Sequence, residues 1–464
     1  MIIALSILLR VIICQNGQYF FVDEARYLNG HYLLSFLSSG EYKQALTHFV
    51  TNYAHTFFTF FASIAEIIRY IFLEFKTYGQ IEPYQLNLSE QGLDISAFVL
   101  SLSSVINIYL VYKIILNLGG NYQVGIIASI LMSICSVNTY YSRHLLPYDS
   151  SLMLFLLALL VSIQIRYRCW FCMLSGILAA LGVLTYNGYW FLSLVVFLIN
   201  ILMMHNIKER FLSGFFCMVG GGIPIILLQF ISWKLNLDFI TGIIEWLSAT
   251  AKNQYGDLGS GLYTLIEYLW HSESIVFIIL SSLTIYSLRY LKLVSKKINY
   301  LNFGILITTL ILSKFILFSD ILEFSVLYGR TIKQIIPFLC ISAAYPIYIF
   351  FINLSIQWNN ITRSIFLLSI VLIFYLNHLN YITLVYPRDV KKMEMLHLNE
   401  FSEIAEIKGP NVEKLEVVKN STSLRLVNAQ VLVPPIEKRI KIDFNKLIYS
   451  TNHPYTYKPY QFVH

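Results

Sequence analysis

The sequence predicts an α-helical polytopic membrane protein of about eleven transmembrane helices, with amphipathic outer-loop helices and a small α/β C-terminal tail domain. Three observations carry that expectation. The chain is 57% hydrophobic and 13% charged, about half the charge of an ordinary soluble domain. Its apolar residues fall in runs suited to a hydrocarbon core that takes about 20 helical residues to cross. Its basic residues alternate with those runs.

The expected spans are Ile2–Cys14, Leu93–Leu116, Val124–Tyr141, Pro147–Ile165, Trp170–Thr185, Tyr189–Met204, Phe211–Ile231, Ile275–Leu291, Leu301–Phe318, Ile332–Ile352 and Ile365–Val385. The first is too short to cross unaided and carries Arg10. Lys113, Arg166, Arg168, Lys208, Arg210, Arg289, Lys292, Lys296, Lys297 and Arg363 gather at the even-numbered connections. The odd connections hold little beyond Arg143, Arg330 and Lys333. The positive-inside bias then puts the N-terminus and the even connections in the cytoplasm, and the odd connections outside. The net charge of +7 is accounted for by this alternation and calls for no nucleic acid. All six cysteines lie in or beside apolar spans, so the outer regions carry no disulfide framework.

The outer connections are long. Residues 22–92 and 232–274 form the two large outer loops of a transmembrane domain over 1–386. In the first, Phe49, Tyr53, Phe57, Phe60 and Phe61 recur at helical spacing, with Glu66 and Arg69 off that face, which suits a helix pair in the membrane interface. In the second, Gly256-Asp257-Leu258-Gly259-Ser260-Gly261 lacks the preceding strand and following Lys-Ser/Thr of a phosphate-cradling loop, and reads as a hinge. Residues 387–464 are charged and polar. A short helix over Val390–Glu406 and strand-like segments at Leu415–Val418, Leu424–Val433 and Lys438–Ile448 predict a small outer domain that ends abruptly, as a truncated one would.

Two polar constellations stand out against this apolar background. Phe21-Val22-Asp23-Glu24-Ala25-Arg26-Tyr27 puts three charges within four residues at the end of the first span. Tyr140-Tyr141-Ser142-Arg143-His144-Leu145-Leu146-Pro147-Tyr148-Asp149 puts a carboxylate just inside the fourth. Ionisable groups at such depth cost free energy and mark function or a satisfied helix start. Tyr328-Gly329-Arg330-Thr331-Ile332-Lys333 brings two cations to the tenth span.

Taken in order, these residues resemble the membrane-embedded GT-C glycosyltransferases, most of all protein O-mannosyltransferases and lipid A aminoarabinose transferases. Asp23-Glu24-Ala25-Arg26-Tyr27 with its following outer helix is similar to the family's first-loop signature, and Leu37-Ser38-Ser39-Gly40-Glu41-Tyr42 to the step after it. Arg143 to Asp149 resembles the acidic element at the fourth span, and Tyr328-Gly329-Arg330 to Pro337 the family's late arginine-to-proline step. The chain departs at Tyr53-Ala54-His55-Thr56-Phe57-Phe58. Relatives have a basic residue and two prolines there, and some have a metal-binding glutamate where this chain has Ala54, so metal dependence stays open.

The resemblance implies transfer of a sugar from a polyprenyl-phosphate donor to a lipid, glycan or protein acceptor at the outer face of the plasma (inner) membrane. Asp23 is then the expected general base. Glu24 and Asp149 would orient hydroxyls or hold a divalent cation, the one cofactor left open. Arg26, Arg330 and His55 would hold the lipid phosphate, with Arg143, His144 and Lys333 as further candidates. A transporter or flippase of a lipid-linked saccharide is the alternative, although the paired broken helices of such proteins are not visible in the sequence.

Overall fold

The computed structural model describes residues 2–15, 26–53, 55–77, 93–142, 144–164, 169–204, 206–252, 261–273, 275–290, 299–321, 329–357, 361, 372, 406–408 and 430–432. These form a helical bundle of α1 (Ile2–Gln15), α2 (Leu28–Ser38), α3 (Tyr42–Thr51), α4 (Phe58–Thr77), α5 (Leu93–Asn117), α6 (Tyr122–Ile134), α7 (Ser136–Ser142), α8 (Tyr148–Gln164), α9 (Cys169–Thr185), α10 (Phe191–Leu202), α11 (Ile207–Lys234), α12 (Phe239–Lys252), α13 (Gly261–Glu273), α14 (Ile275–Ser287), α15 (Tyr300–Lys314), α16 (Gly329–Ile332) and α17 (Ile336–Gln357). Four stretches are long and apolar enough to cross a membrane, namely Ile95–Asn117, Ile207–Lys234, Tyr300–Phe318 and Lys333–Asn353. Shorter apolar helices pack among them. The protein is a helical integral membrane protein. The eleventh expected span lies outside the described residues apart from residue 372.

The third expected span is not one helix. It breaks at Cys135, whose backbone leaves the helical region at φ −59° and ψ 122°. The break exposes two amide donors of α7, and Glu273 at the end of α13 satisfies them. Its carboxylate accepts from the Ser136 amide at 2.9 Å and the Val137 amide at 2.8 Å. An acidic group at a helix N-terminus meets both the orphan donors and the positive end of the dipole. The break coincides with a change from the apolar α6 to the more polar α7, Ser136-Val137-Asn138-Thr139-Tyr140-Tyr141-Ser142.

Helix α4 corrects a second expectation. Glu66 and Arg69 face inward and are buried, whereas Phe60, Ile64, Ile67 and Ile71 form an exposed stripe at three- and four-residue steps. A polar face turned in and an apolar face turned out is the arrangement a helix against lipid requires. The inward carboxylate is tolerable because it is paired.

The core places the odd connections together at one end of the bundle. The amide of Phe57 donates to Leu184 O at 3.0 Å, tying the first loop to the α9–α10 turn. Tyr53 packs on Phe239 of α12, ring centres 5.8 Å apart. At the opposite end the even connections meet. Gln164 reaches Asn117 at 3.3 Å, and Tyr345 of α17 contacts Tyr290 and Tyr300. In the tail, Glu406–Lys408 pairs antiparallel with Gln430–Leu432. The second of these strands falls within the expected segment Leu424–Val433, while the first begins at Glu406, the last residue of the expected helix; the other tail elements lie outside the described residues.

Candidate functional site

The convergent end buries an ion pair. Asp149, in the first turn of α8, lies 2.6 Å from the Lys333 ammonium at the start of the last described span, and both side chains are buried. Pro147 and the preceding turn set Asp149 where a carboxylate suits the helix dipole. Polar residues of α5 line the same region. Asn107 donates to the Asp149 carbonyl at 3.1 Å, and Ser103 lies 3.1 Å from Ser150. The α1 residue Arg10 is fully buried, donating to Ser104 Oγ at 3.0 Å and Ser6 O at 3.4 Å. Its charge acts on Asp149 as well. Two cations therefore share one carboxylate in an apolar bundle.

An aromatic wall joins this pair to the first loop. The Lys333 ammonium stands 5.7 Å from the centre of the Tyr141 ring. Tyr141 meets Tyr148 edge-on at 5.4 Å, Tyr148 meets Tyr186 at 4.7 Å, and Tyr186 meets Tyr189 at 5.0 Å. His55 stacks on Tyr186 at 5.9 Å with the rings 5° apart. The four tyrosines come from α7, α8 and the tight turn between α9 and α10. Edge-to-face contacts of this kind stabilise beyond their buried area.

His55 sits in that wall as a neutral group. Burial, and then the charge of Arg26, hold it well below the usual imidazole range. Its Nδ1 lies 3.0 Å from the carbonyl of Thr185. A carbonyl only accepts, so Nδ1 carries the proton and Nε2 keeps its lone pair. The expectation of His55 as a cationic phosphate ligand thus meets a side chain that offers a hydrogen bond rather than a charge.

The segment after the acidic motif is anchored separately. Tyr27 donates its hydroxyl to Glu66 of α4 and lies 2.7 Å from Ser96 of α5. Arg69 donates from Nε to Glu66 at 2.9 Å and from Nη2 to the other oxygen, and His31 Nδ1 lies 3.1 Å away. Burial alone would raise the Glu66 carboxyl. The hydrogen bonds from His31 and Arg69, with the Arg69 charge, outweigh it and hold the group at about 2.

Of the expected site residues, the fold brings together Asp149, Lys333, His55 and Arg26, the last through its electrostatic reach to His55. His144 is buried in the turn between α7 and α8. Arg330 lies on α16, one turn before Lys333. Asp23, Glu24 and Arg143 lie outside the described residues. Among the described residues no three His, Cys, Asp or Glu side chains gather as a metal site. Sequence reasoning missed Arg10, the Tyr186–Tyr189 turn and the Glu66 network. The turn has a visible signal, the polar break Tyr186-Asn187-Gly188-Tyr189 between two apolar runs.

No family model and no curated protein matches the chain. Several solved structures are similar to it, among them two membrane-protein structures. ArnT from Cupriavidus metallidurans, in the apo state, matches at 11% identity with a TM-score of 0.48, over 74% of this chain and 58% of that one. The archaeal oligosaccharyltransferase AglB from Archaeoglobus fulgidus, in complex with an inhibitory peptide and a dolichol-phosphate, matches at 12% identity with a TM-score of 0.44, over 81% of this chain and 54% of that one. The chain thus spans little more than half the length of each.

Proposed function

We propose that this protein is a membrane glycosyltransferase that moves a sugar from a polyprenyl-phosphate donor to a lipid, glycan or protein acceptor, with the reaction on the outer face of the membrane. One observation carries the reading most: the odd connections converge on a buried ionic and aromatic site at one end of an apolar bundle, contiguous with the segment that follows Asp23 and Glu24. Four tyrosines and a neutral histidine suit a sugar, whose faces are apolar and whose rim is hydroxyl. The exposed apolar stripe of α4 suits a donor whose tail stays in lipid.

In this mechanism Asp23 takes the proton from the acceptor hydroxyl as it attacks the anomeric carbon. A positioned base contributes about 10²–10⁴-fold. Arg26 and Arg330 hold the leaving phosphate, for which a guanidinium offers two parallel donors. Glu24 and Asp149 orient hydroxyls, Asp149 with its charge balanced by Lys333. His55 accepts from a sugar hydroxyl at Nε2. Arg143 and His144 are further candidates for contact with the donor. A divalent cation, where one is used, would be held by Glu24 and Asp149 and would steady the phosphate.

The test is Asp23→Asn in purified full-length protein in nanodiscs, given polyprenyl-phosphate sugar. The expected outcome is loss of transfer by about 10²-fold or more with donor binding retained. Near wild-type turnover would remove Asp23 as base. Turnover on a nucleotide sugar alone would sink the lipid-donor reading, and facilitated flipping without transfer would establish a transporter instead.

A further inference from the structure

Among the buried cations that the mechanism above leaves unused, Lys314 differs from Arg10 and Arg69 in its surroundings. Lys314, the last residue of α15, is 5% exposed. Its described interactions are with rings, the ammonium lying 5.7 Å from Trp190 and 5.2 Å from Phe315. Among the described residues no carboxylate faces it. Lysine is almost never buried without a partner, because the ammonium loses its hydration. Two aromatic faces offset part of that loss.

The surroundings say what kind of group could reach it. Lys314 leads directly into a π-helical turn, Phe315–Ile321, a rare geometry that is frequent at functional sites. Trp190 is exposed and stacks edge-on with Phe318 at 5.3 Å. Ile316, Leu317 and Leu194 beside them are also exposed, so in a membrane protein this surface meets lipid. Trp190 itself directly follows Tyr189, which is fully buried in the tyrosine wall of the site. The Tyr186–Trp190 turn therefore stands between the site and the bilayer, with Lys314 on its bilayer side. A group that reaches Lys314 from there must be anionic and must carry its own apolar tail.

We propose that Lys314, with Trp190, is a docking point for a lipid phosphate on the bilayer side of the site. The phosphate comes from the polyprenyl-phosphate donor or from an ordinary anionic phospholipid; the donor half of the statement rests on the transfer reading above. The ammonium, already poised against the indole, exchanges part of its cation–π contact for a charge-assisted hydrogen bond to a phosphate oxygen. The lipid is held there before its head passes the tyrosine turn.

The experiment uses full-length protein in phosphatidylcholine nanodiscs, titrated with polyprenyl phosphate and, separately, with phosphatidylglycerol. Lys314→Met keeps the length of the side chain and removes the charge. It is expected to weaken binding of one or both lipids about tenfold, which is about 1.4 kcal/mol, while the melting temperature holds or rises, because a buried charge that no described carboxylate faces has gone. Lys314→Arg is expected to stay within about threefold of wild type, less than 1 kcal/mol by the same conversion. Loss confined to polyprenyl phosphate identifies the donor as the occupant; equal loss for phosphatidylglycerol identifies membrane phospholipid. Binding of both lipids by Lys314→Met within twofold of wild type overturns the proposal, as does a drop in melting temperature that accounts for the loss. The two readings fail separately. Absence of sugar transfer in wild type would sink the transferase and leave the Lys314 result standing, whereas intact transfer and unchanged binding in Lys314→Met would do the reverse.

Discussion

The two ends of the bundle handle charge in opposite ways. At the end that carries the odd connections, Asp149, Lys333, Arg10, Glu66 and Arg69 are all buried, and each carboxylate is engaged by more than one partner. At the other end, Lys113 and Arg289 rest over tyrosine rings at 5.4 Å each, and Arg210 donates to the Met204 carbonyl at 3.0 Å. The second arrangement is what topology needs: cations near water, cheap to hold and replaceable one for another. The first is expensive. A buried ion pair is on balance worth little more than an apolar contact of the same volume, yet breaking it strands a charge. Under the proposed function, that cost falls at the end where a polar substrate would bind.

The comparison is sharpest at the Asp149–Lys333 pair. Lys333→Met leaves Asp149 buried with a weaker counter-charge, and a loss of about 3–5 kcal/mol is expected in thermal or urea unfolding of the detergent-solubilised protein. Combining it with Asp149→Asn should recover most of that loss, since both charges are then gone. A double variant as unstable as the single one would show that the pair is not the cause.

Next in size is the Glu66 network. Glu66→Gln deprives Arg69 of its counter-ion, and a loss of about 2–3 kcal/mol is expected. The pH dependence follows from the held-down carboxyl. Its folded value of about 2 lies below the ordinary 4.5, so its stabilisation is fully present above about pH 4.5 and is lost as the pH falls toward 2. Melting temperatures measured across that window should fall in the wild type and flatten in Glu66→Gln. A parallel fall in both proteins would assign the acid sensitivity to other groups.

Tyr27→Phe removes one hydroxyl from the same network and should cost about 1 kcal/mol, read from the same unfolding curves. At the opposite end, Gln164→Ala removes an exposed hydrogen bond and should stay within about 0.5 kcal/mol. A larger effect there than at Tyr27 would invert the contrast between the ends.

Much of this was legible in the residues. The apolar runs correspond to described helices for ten of the expected spans, from Ile2–Cys14 to Ile332–Ile352. Asp149 and Lys333 were both marked by depth, one just inside the fourth span and one leading into the tenth. Arg10 was read only as a blemish in a short span, and Glu66 and Arg69 as a solvated or interfacial face. Both misreadings have one origin: a charge on an amphipathic helix is assigned to water unless its partner is known, and the partners lie far along the chain. Ser104 is 94 residues from Arg10, and Tyr27 is 39 from Glu66.

Hydropathy and the placement of cations by themselves determined that this chain is a membrane bundle and which connections share an end, because both are sums over neighbouring residues along the chain. That Lys333 meets Asp149, that Glu273 caps the α7 start exposed at the Cys135 break, and that a tyrosine turn stands between Lys314 and the ion pair were decided by tertiary packing alone. Those contacts join residues from separate spans, and their energies depend on distance and burial, which no local pattern contains.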